Sequence, residues 1–145
     1  MTELVWKLRV AVLWIFLGVA TATNLVLFIY QPGTVRGIVR GEVADVDPGA
    51  AQAQIHTALS VLVPLAMAFA TFVLSDRANR WASGALGLLW AFTLFFLVLQ
   101  NFGDPSAFIL AVMLLVSLLV LWHVRKWPMP DRAASVTHEG AAVRR

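Results

Sequence analysis

The hydrophobic positions of the chain fall into four long stretches separated by polar segments. The stretches cover residues 10–30, 51–74, 82–100 and 105–123, and none of them contains Asp, Glu, Lys or Arg. An α-helix needs roughly 20 apolar residues to cross the hydrocarbon core of a bilayer. The pattern therefore predicts an all-α fold, a transmembrane antiparallel four-helix bundle formed by residues 1–128.

The first stretch could instead belong to a secretory signal peptide. Basic residues precede it, and Ala20-Thr21-Ala22 within it resembles a signal-peptide cleavage site. The apolar run, however, continues beyond this site as far as Tyr30. We therefore expect the stretch to remain in the protein as a membrane span.

The basic residues are distributed unevenly between the two sides of the predicted bundle. One side carries Arg36 and Arg40. The other carries the remaining nine of the eleven, which are Lys7, Arg9, Arg77, Arg80, Arg125, Lys126, Arg132, Arg144 and Arg145. Tryptophans at positions 6, 81, 122 and 127 lie on this second side as well. Because cytoplasmic loops carry the excess of Lys and Arg, and Trp is enriched at membrane interfaces, we expect both termini in the cytoplasm.

The composition agrees with a membrane location and excludes several functions. The chain is 60% hydrophobic and 13% charged, and its mean hydropathy is +0.80, whereas soluble proteins contain about 25% charged residues. It has no cysteine, which excludes disulfides, thiolate metal sites and thiol redox chemistry, including that of a quinone-linked disulfide-forming enzyme. The basic residues lie in short clusters beside the spans, so we expect no nucleic-acid partner.

Neutral polar side chains collect towards the predicted outer side. Thr21 and Asn24 share a face of the first span, and a stripe in the second span recurs every four residues from Gln52 to Pro64. The candidate ligand-binding residues are Asn24, Gln52, His56, Thr57 and Gln100. Hydrogen bonding between helices explains such residues without a ligand. We favour this interpretation, and the alternatives are a small-molecule or lipid-headgroup pocket and a metal or haem role for His56.

Charged side chains are absent from all four spans, which argues against a proton-coupled pump, because intramembrane acids and bases mark proton and ion pathways. His56 and His123 are predicted to lie at opposite membrane interfaces, so a single haem cannot be held between them. His56 could meet the acids of the predicted outer loops, which are Glu42, Asp45, Asp47 and Asp104, but their spacing matches no metal-ligand motif. We therefore expect no catalytic residue, no metal and no cofactor.

The polar string at 75–80 is predicted to form the inner connection between the second and third spans. Asp76, Arg77, Arg80 and Trp81 form a candidate docking site there for an anionic lipid or a cytoplasmic partner. Asp76 and Arg80 have the spacing of a helical ion pair, and Trp81 suits the headgroup region. A turn that merely anchors the protein to lipid explains the same residues.

Two small-residue pairs predict close approach between helices. They are Gly18 with Ala22 in the first span and Ser83 with Gly87 in the third, and the approach can take place inside one chain or between protomers. In the second span, Pro64 removes a backbone hydrogen bond and predicts a kink.

The polar segments outside the spans are predicted to differ in order. The outer connection at 31–50 contains a short amphipathic segment at 34–40 that we expect to lie on the membrane surface. Residues 129–145 are rich in polar and small side chains and are predicted to form a disordered cytoplasmic tail.

Three short strings resemble a known family. They are Arg77-Ala78-Asn79-Arg80-Trp81-Ala82, Trp14-Ile15-Phe16 and Trp122-His123-Val124-Arg125-Lys126-Trp127-Pro128. With the spacing of the spans, they resemble an uncharacterised family of small four-span bacterial integral membrane proteins, a domain of unknown function. The resemblance covers residues 13–128 and implies a multi-pass protein of the bacterial inner membrane. That family has no assigned activity, so the resemblance implies no functional site.

The sequence therefore favours an accessory or scaffolding subunit without catalytic activity, which self-associates or joins a larger membrane complex. This hypothesis rests on the uncharged spans and the small-residue pairs. The alternative is a small-molecule or lipid binding or transport protein that uses an outer-facing pocket near Asn24 and His56. The expected partners are the lipid bilayer and either a second copy of the chain or another membrane protein.

Overall fold

The computed structural model of the chain describes residues 2–40 and 51–127, which form five α-helices and no strand. The helices are α1 (Thr2–Ile29), α2 (Thr34–Arg40), α3 (Ala51–Val73), α4 (Asp76–Gln100) and α5 (Pro105–Arg125). All except α2 are long and apolar enough to cross a membrane. This confirms the prediction of an all-α membrane protein with several spans. The predictions for the acids at 42, 45 and 47 and for the tail at 129–145 lie outside the described residues.

The helices extend beyond the apolar stretches that predicted them. α1 begins at Thr2 and α4 begins at Asp76, each several residues before its apolar run. Hydropathy marks the part of a helix that lies in hydrocarbon, and the helix can continue into the headgroup region because its backbone hydrogen bonds are internal. The loop predicted at 75–80 is therefore wrong, since Leu74 and Ser75 alone separate α3 from α4.

The spanning helices pack in the order α3, α1, α5, α4. Small residues make the close contacts. A Cβ atom at Gly18 of α1 would lie 2.8 Å from the side chain of Leu65 in α3. A Cβ atom at Gly87 of α4 would lie 3.3 Å from the side chain of Leu121 in α5. Gly18 and Gly87 of the predicted pairs are thus occupied by contacts inside the chain.

The two short connections have different consequences for the helices that they join. α4 and α5, joined by residues 101–104, pack extensively against each other, whereas α3 and α4 make few contacts. A short connection fixes only the adjoining ends of two helices, and the side chains further along decide whether the helices stay together. Of the two pairs of helices with short connections, α4 and α5 pack against each other, and α3 instead packs against α1.

We call the end where α1 and α4 begin the basal end, and the opposite end the distal end. The two halves of α3 differ in burial, with a buried stripe in the basal half and none in the described distal part. Pro64, Ala68 and Thr71 are buried, whereas each described side chain at 52–59 is exposed. Thr57 lies on the same stripe as Pro64 and Ala68 and is nevertheless exposed. α3 therefore leaves the bundle as it approaches the distal end.

Pro64 lies near the boundary between these two halves of α3. The helix is continuous through this residue, but proline has no amide hydrogen to donate to the carbonyl oxygen of Ser60. The local weakness predicted from the sequence thus falls close to the point where α3 leaves the bundle.

A tight turn and a short helix follow the distal end of α1. Gly33 in the turn has φ +90°, a left-handed conformation that glycine adopts without a steric cost. α2 then begins at Thr34, and none of its residues is buried. The amphipathic segment predicted at 34–40 is therefore a helix.

Candidate functional site

The predicted ligand-binding side chains lie towards the distal end, on three different helices. Asn24 of α1 is half-buried, and the other members are exposed: Gln52, His56 and Thr57 of α3 and Gln100 of α4. The side chains of these five residues form no hydrogen bond with another residue in the described part of the chain, although the backbone carbonyl of Thr57 accepts one from the Ser60 hydroxyl. Their assembly into one pocket stays a prediction.

Asn24 is the member of this set that most needs a polar neighbour. It lies three residues beyond Thr21 on the inward stripe of α1, where the Thr21 hydroxyl donates to the Leu17 carbonyl at 2.8 Å. An amide that is unpaired in hydrocarbon costs several kcal/mol. The Asn24 amide therefore needs a hydrogen-bond partner other than the described side chains, such as water from the distal surface or a bound ligand.

The five predicted ligand-binding residues can donate or accept hydrogen bonds. Across residues 2–40 and 51–127, no group of three or more His, Cys, Asp or Glu side chains is placed to hold a metal ion. His56 lies at the exposed start of α3, where an imidazole can donate or accept a hydrogen bond.

At the basal end, one of the predicted docking residues forms an ion pair inside the protein, and the other three are exposed or half-buried. Asp76 forms an ion pair with Lys7 of α1, in which Lys7 Nζ lies 2.8 Å from Asp76 Oδ1. Arg77 is exposed, Arg80 is half-buried and Trp81 is 74% exposed. The ion pair fastens the start of α4 to the first turns of α1, while Arg77 and Trp81 remain available to lipid or to a partner.

Aromatic rings and cations alternate around the same end. The rings of Trp6 and His123 meet edge to face with centroids 5.6 Å apart, which joins α1 to α5. The Lys126 ammonium lies 3.9 Å from the centroid of the Trp122 ring, a distance typical of a cation–π contact. The basal end thus presents the mixed Trp and Lys or Arg surface that suits phospholipid headgroups.

A buried polar network links three helices in the basal half. The indole Nε1 of Trp14 donates to the hydroxyl of Ser83 at 3.3 Å, and that hydroxyl donates to Oδ1 of Asn79 at 3.1 Å. The amide of Asn79 donates in turn to the carbonyl oxygen of Thr71 at 3.5 Å. All four residues are fully buried, so the network is closed to water and to ligands.

This network holds α1, α3 and α4 together without a charged side chain. In a membrane an interhelical hydrogen bond contributes about 0.6 kcal/mol on average, whereas a buried polar group left unpaired costs about 1–3 kcal/mol. The network therefore discriminates more strongly against wrong helix pairings than it stabilises the correct one. Its role is structural.

Hydropathy alone placed Asn79 in a loop and so missed its role. The signal lies in the spacing: Asn79, Ser83, Gly87 and Ala91 recur every four residues and form one small, partly polar stripe on a helix. All four are buried in α4. Extending the predicted Ser83 and Gly87 pair back by one turn would have placed Asn79 on the same face.

The chain matches no known protein family, no characterised protein and no solved structure. The family resemblance drawn from its short strings therefore stays a prediction. The functional argument rests on burial, contacts and charge in the described residues.

Proposed function

We propose that this protein is a non-catalytic accessory subunit in a membrane, and that its α3 binds a transmembrane helix of another protein molecule. The observation that carries the proposal is the exposure of α3 in its distal half. There each described side chain at 52–59 is exposed, including Thr57 on the stripe that elsewhere faces α1. A second copy of the chain is the simplest partner.

The polar side chains of this segment supply the physical reason for association. Exposed apolar side chains do not drive association in a bilayer, because lipid tails are as apolar as leucine. His56 and Thr57 are different, since neither side chain has a hydrogen-bond partner among the described residues. A neighbouring helix that offers such partners would stabilise the association by about 0.6–2 kcal/mol per hydrogen bond.

Small residues on the outside of α3 favour the same interpretation. Ala58 and Ala66 lie eight positions apart on one stripe of the helix, and both are exposed. Unlike Gly18 and Gly87, these alanines leave room for a helix from outside the chain. Small residues at such positions let two helix backbones approach closely in a membrane.

The basal end is proposed to face the cytoplasm of a bacterium, with the protein in the inner membrane. The support is the charge distribution, because Lys7, Arg9, Arg77, Arg80, Arg125 and Lys126 lie at this end. The positive-inside rule then orients α1 with its start in the cytoplasm. The partner helix would accordingly meet α3 in the half of the membrane away from the cytoplasm.

Energy transfer between labelled chains in liposomes tests the association. Donor and acceptor chains are reconstituted together, and the signal is followed as lipid is added at a constant protein amount. We expect transfer that exceeds the random-proximity level and falls at least threefold in Ala58→Trp, because the indole blocks the α3 surface. The matched control is Val19→Trp, on an exposed position of α1, which should retain the wild-type signal. Transfer at the random level in the wild type would contradict self-association.

A ligand pocket near Asn24 and His56 is a second candidate function. It is favoured by Asn24, which is half-buried and has no side-chain hydrogen bond to another described residue. A bound small molecule or lipid headgroup could supply that bond. Native mass spectrometry of gently purified protein should then show a bound species that disappears in both Asn24→Ala and His56→Ala. Adducts that are identical in all three proteins would contradict a pocket at these residues.

A further inference from the structure

A concavity lies at the distal end, between the last turn of α1 and the short helix α2. Its volume is about 660 Å³. Two kinds of side chain line it. Arg36 and Arg40 provide positive charge, and Ile29, Val35 and Val39 provide an apolar wall. A ligand that fits this lining has an anionic group joined to a hydrocarbon chain.

The two arginines lie one helical turn apart on α2. Both side chains are exposed, and neither forms an ion pair or a hydrogen bond with another residue in the described ranges. A guanidinium group is planar and can donate two parallel hydrogen bonds to the oxygens of one phosphate. Two guanidinium groups at this spacing can therefore hold one phosphate between them.

The location of α2 fits a membrane interface. α1 is long and apolar enough to span a bilayer and ends at Ile29, and Tyr30 directly after it is 79% exposed. On α2 the exposed apolar residues Val35 and Val39 lie beside the basic ones. A short helix with adjacent apolar and basic faces lies in the plane of the membrane surface, at the depth of lipid phosphates.

We propose that this concavity binds the phosphate of an anionic phospholipid. Arg36 and Arg40 hold the phosphodiester, and the first carbons of an acyl chain run along Ile29 and Val39. Tyr30 and Gln31 also line the concavity and can donate hydrogen bonds to headgroup oxygens. The site accounts for the two arginines that are the smaller share of the basic residues on the two sides of the protein.

The test measures lipid binding to purified protein in a neutral detergent. Wild type is titrated with phosphatidylglycerol, with phosphatidylcholine and, separately, with glycerol phosphate, and bound species are counted by native mass spectrometry. The test variant carries Arg36→Gln and Arg40→Gln. The matched control carries Arg9→Gln and Arg125→Gln, two exposed arginines at the basal end that lie outside the predicted docking residues. Circular dichroism of each variant checks that the helices are intact.

We expect one phosphatidylglycerol molecule to bind, with an affinity that falls at least tenfold in the test variant and less than twofold in the control. Phosphatidylcholine should bind at least tenfold more weakly, because its headgroup carries no net charge. Equal binding of phosphatidylglycerol to both variants would overturn the proposal. Binding of glycerol phosphate as tight as that of phosphatidylglycerol would also overturn it, since the ligand would then be a soluble phosphate.

Discussion

The indole nitrogen of Trp14 donates a hydrogen bond to the hydroxyl of Ser83, and the two residues are 69 positions apart in the chain. Trp14 lies in α1 and Ser83 in α4, two helices that are neither consecutive nor joined by a short loop. The bond therefore requires that α1 and α4 face each other across the interior, beside α5. The ion pair between Lys7 and Asp76 joins the same two helices.

The substitution Ser83→Ala should reduce the free energy of unfolding by about 1–3 kcal/mol. It leaves the buried Trp14 N–H without an acceptor and removes the hydroxyl that donates to Asn79. Unfolding by a denaturing detergent, followed by circular dichroism, measures the change. The control is Thr93→Ala in the same helix, because the exposed Thr93 hydroxyl bonds only to the carbonyl of Leu89. Equal stability of Ser83→Ala and wild type would show that the buried network is not formed.

The substitution Asp76→Asn should destabilise the protein by about 1 kcal/mol. It breaks the ion pair between Lys7 and Asp76, whose side chains are 19% and 22% exposed. It also removes a negative charge that stabilises the start of α4. Raising the salt concentration should reduce the stability difference between wild type and variant. The exposed Arg77 offers the control Arg77→Gln, which should be neutral. A difference that does not change with salt would argue against an electrostatic cause.

Two glycine substitutions should have opposite effects on stability. Gly18→Ala places a Cβ atom 2.8 Å from Leu65 Cδ2, and we expect a loss of about 1–2 kcal/mol as Leu65 is displaced and α1 separates from α3. Gly84→Ala places its Cβ atom 3.6 Å from Val124 Cγ1, an ordinary contact. It should leave stability unchanged or raise it by up to about 1 kcal/mol, because alanine favours a helix. The same unfolding assay measures both, and the reverse order would contradict the α1 to α3 contact.

The orientation in the membrane can be tested by labelling, because the chain has no cysteine of its own. Single cysteines are introduced at Ser75, an exposed residue of the basal end, and at Phe102, which is 85% exposed at the distal end. In bacteria without an outer membrane, a maleimide that cannot cross lipid should label Phe102→Cys but not Ser75→Cys. Permeabilised cells should be labelled at both. Labelling of Ser75→Cys in intact cells would contradict a cytoplasmic basal end.

The sequence predicted the spans well because hydropathy reports which residues lie in hydrocarbon. It predicted helix ends less well, since polar residues such as Thr2 and Asp76 continue the helices beyond the hydrocarbon. The buried role of Asn79 was hidden for the same reason. The polar segment that contains Arg77, Asn79 and Arg80 resembles a loop as long as the start of the helix at Asp76 is unknown.

The divergence of α3 from the bundle could not be predicted from the length of its connection to α4. Whether Thr57 is buried depends on how closely side chains from several helices approach it. The distances between helices are not encoded in any local sequence pattern. The distal residues Asn24, His56 and Gln100 illustrate the limit. Their common side of the membrane follows from the alternation of spans, but their grouping as a binding site stays a prediction.

Disulfide cross-linking between two copies tests the central claim, that α3 binds another transmembrane helix, most directly. A single cysteine replaces Leu59, which is 51% exposed in distal α3, or Leu119, which is 46% exposed in α5 and serves as the control. Copper phenanthroline is added to native membranes that contain one or the other variant. The account predicts a cross-linked dimer for Leu59→Cys and little or none for Leu119→Cys. Equal cross-linking at both positions, or a dimer at Leu119→Cys alone, would contradict it.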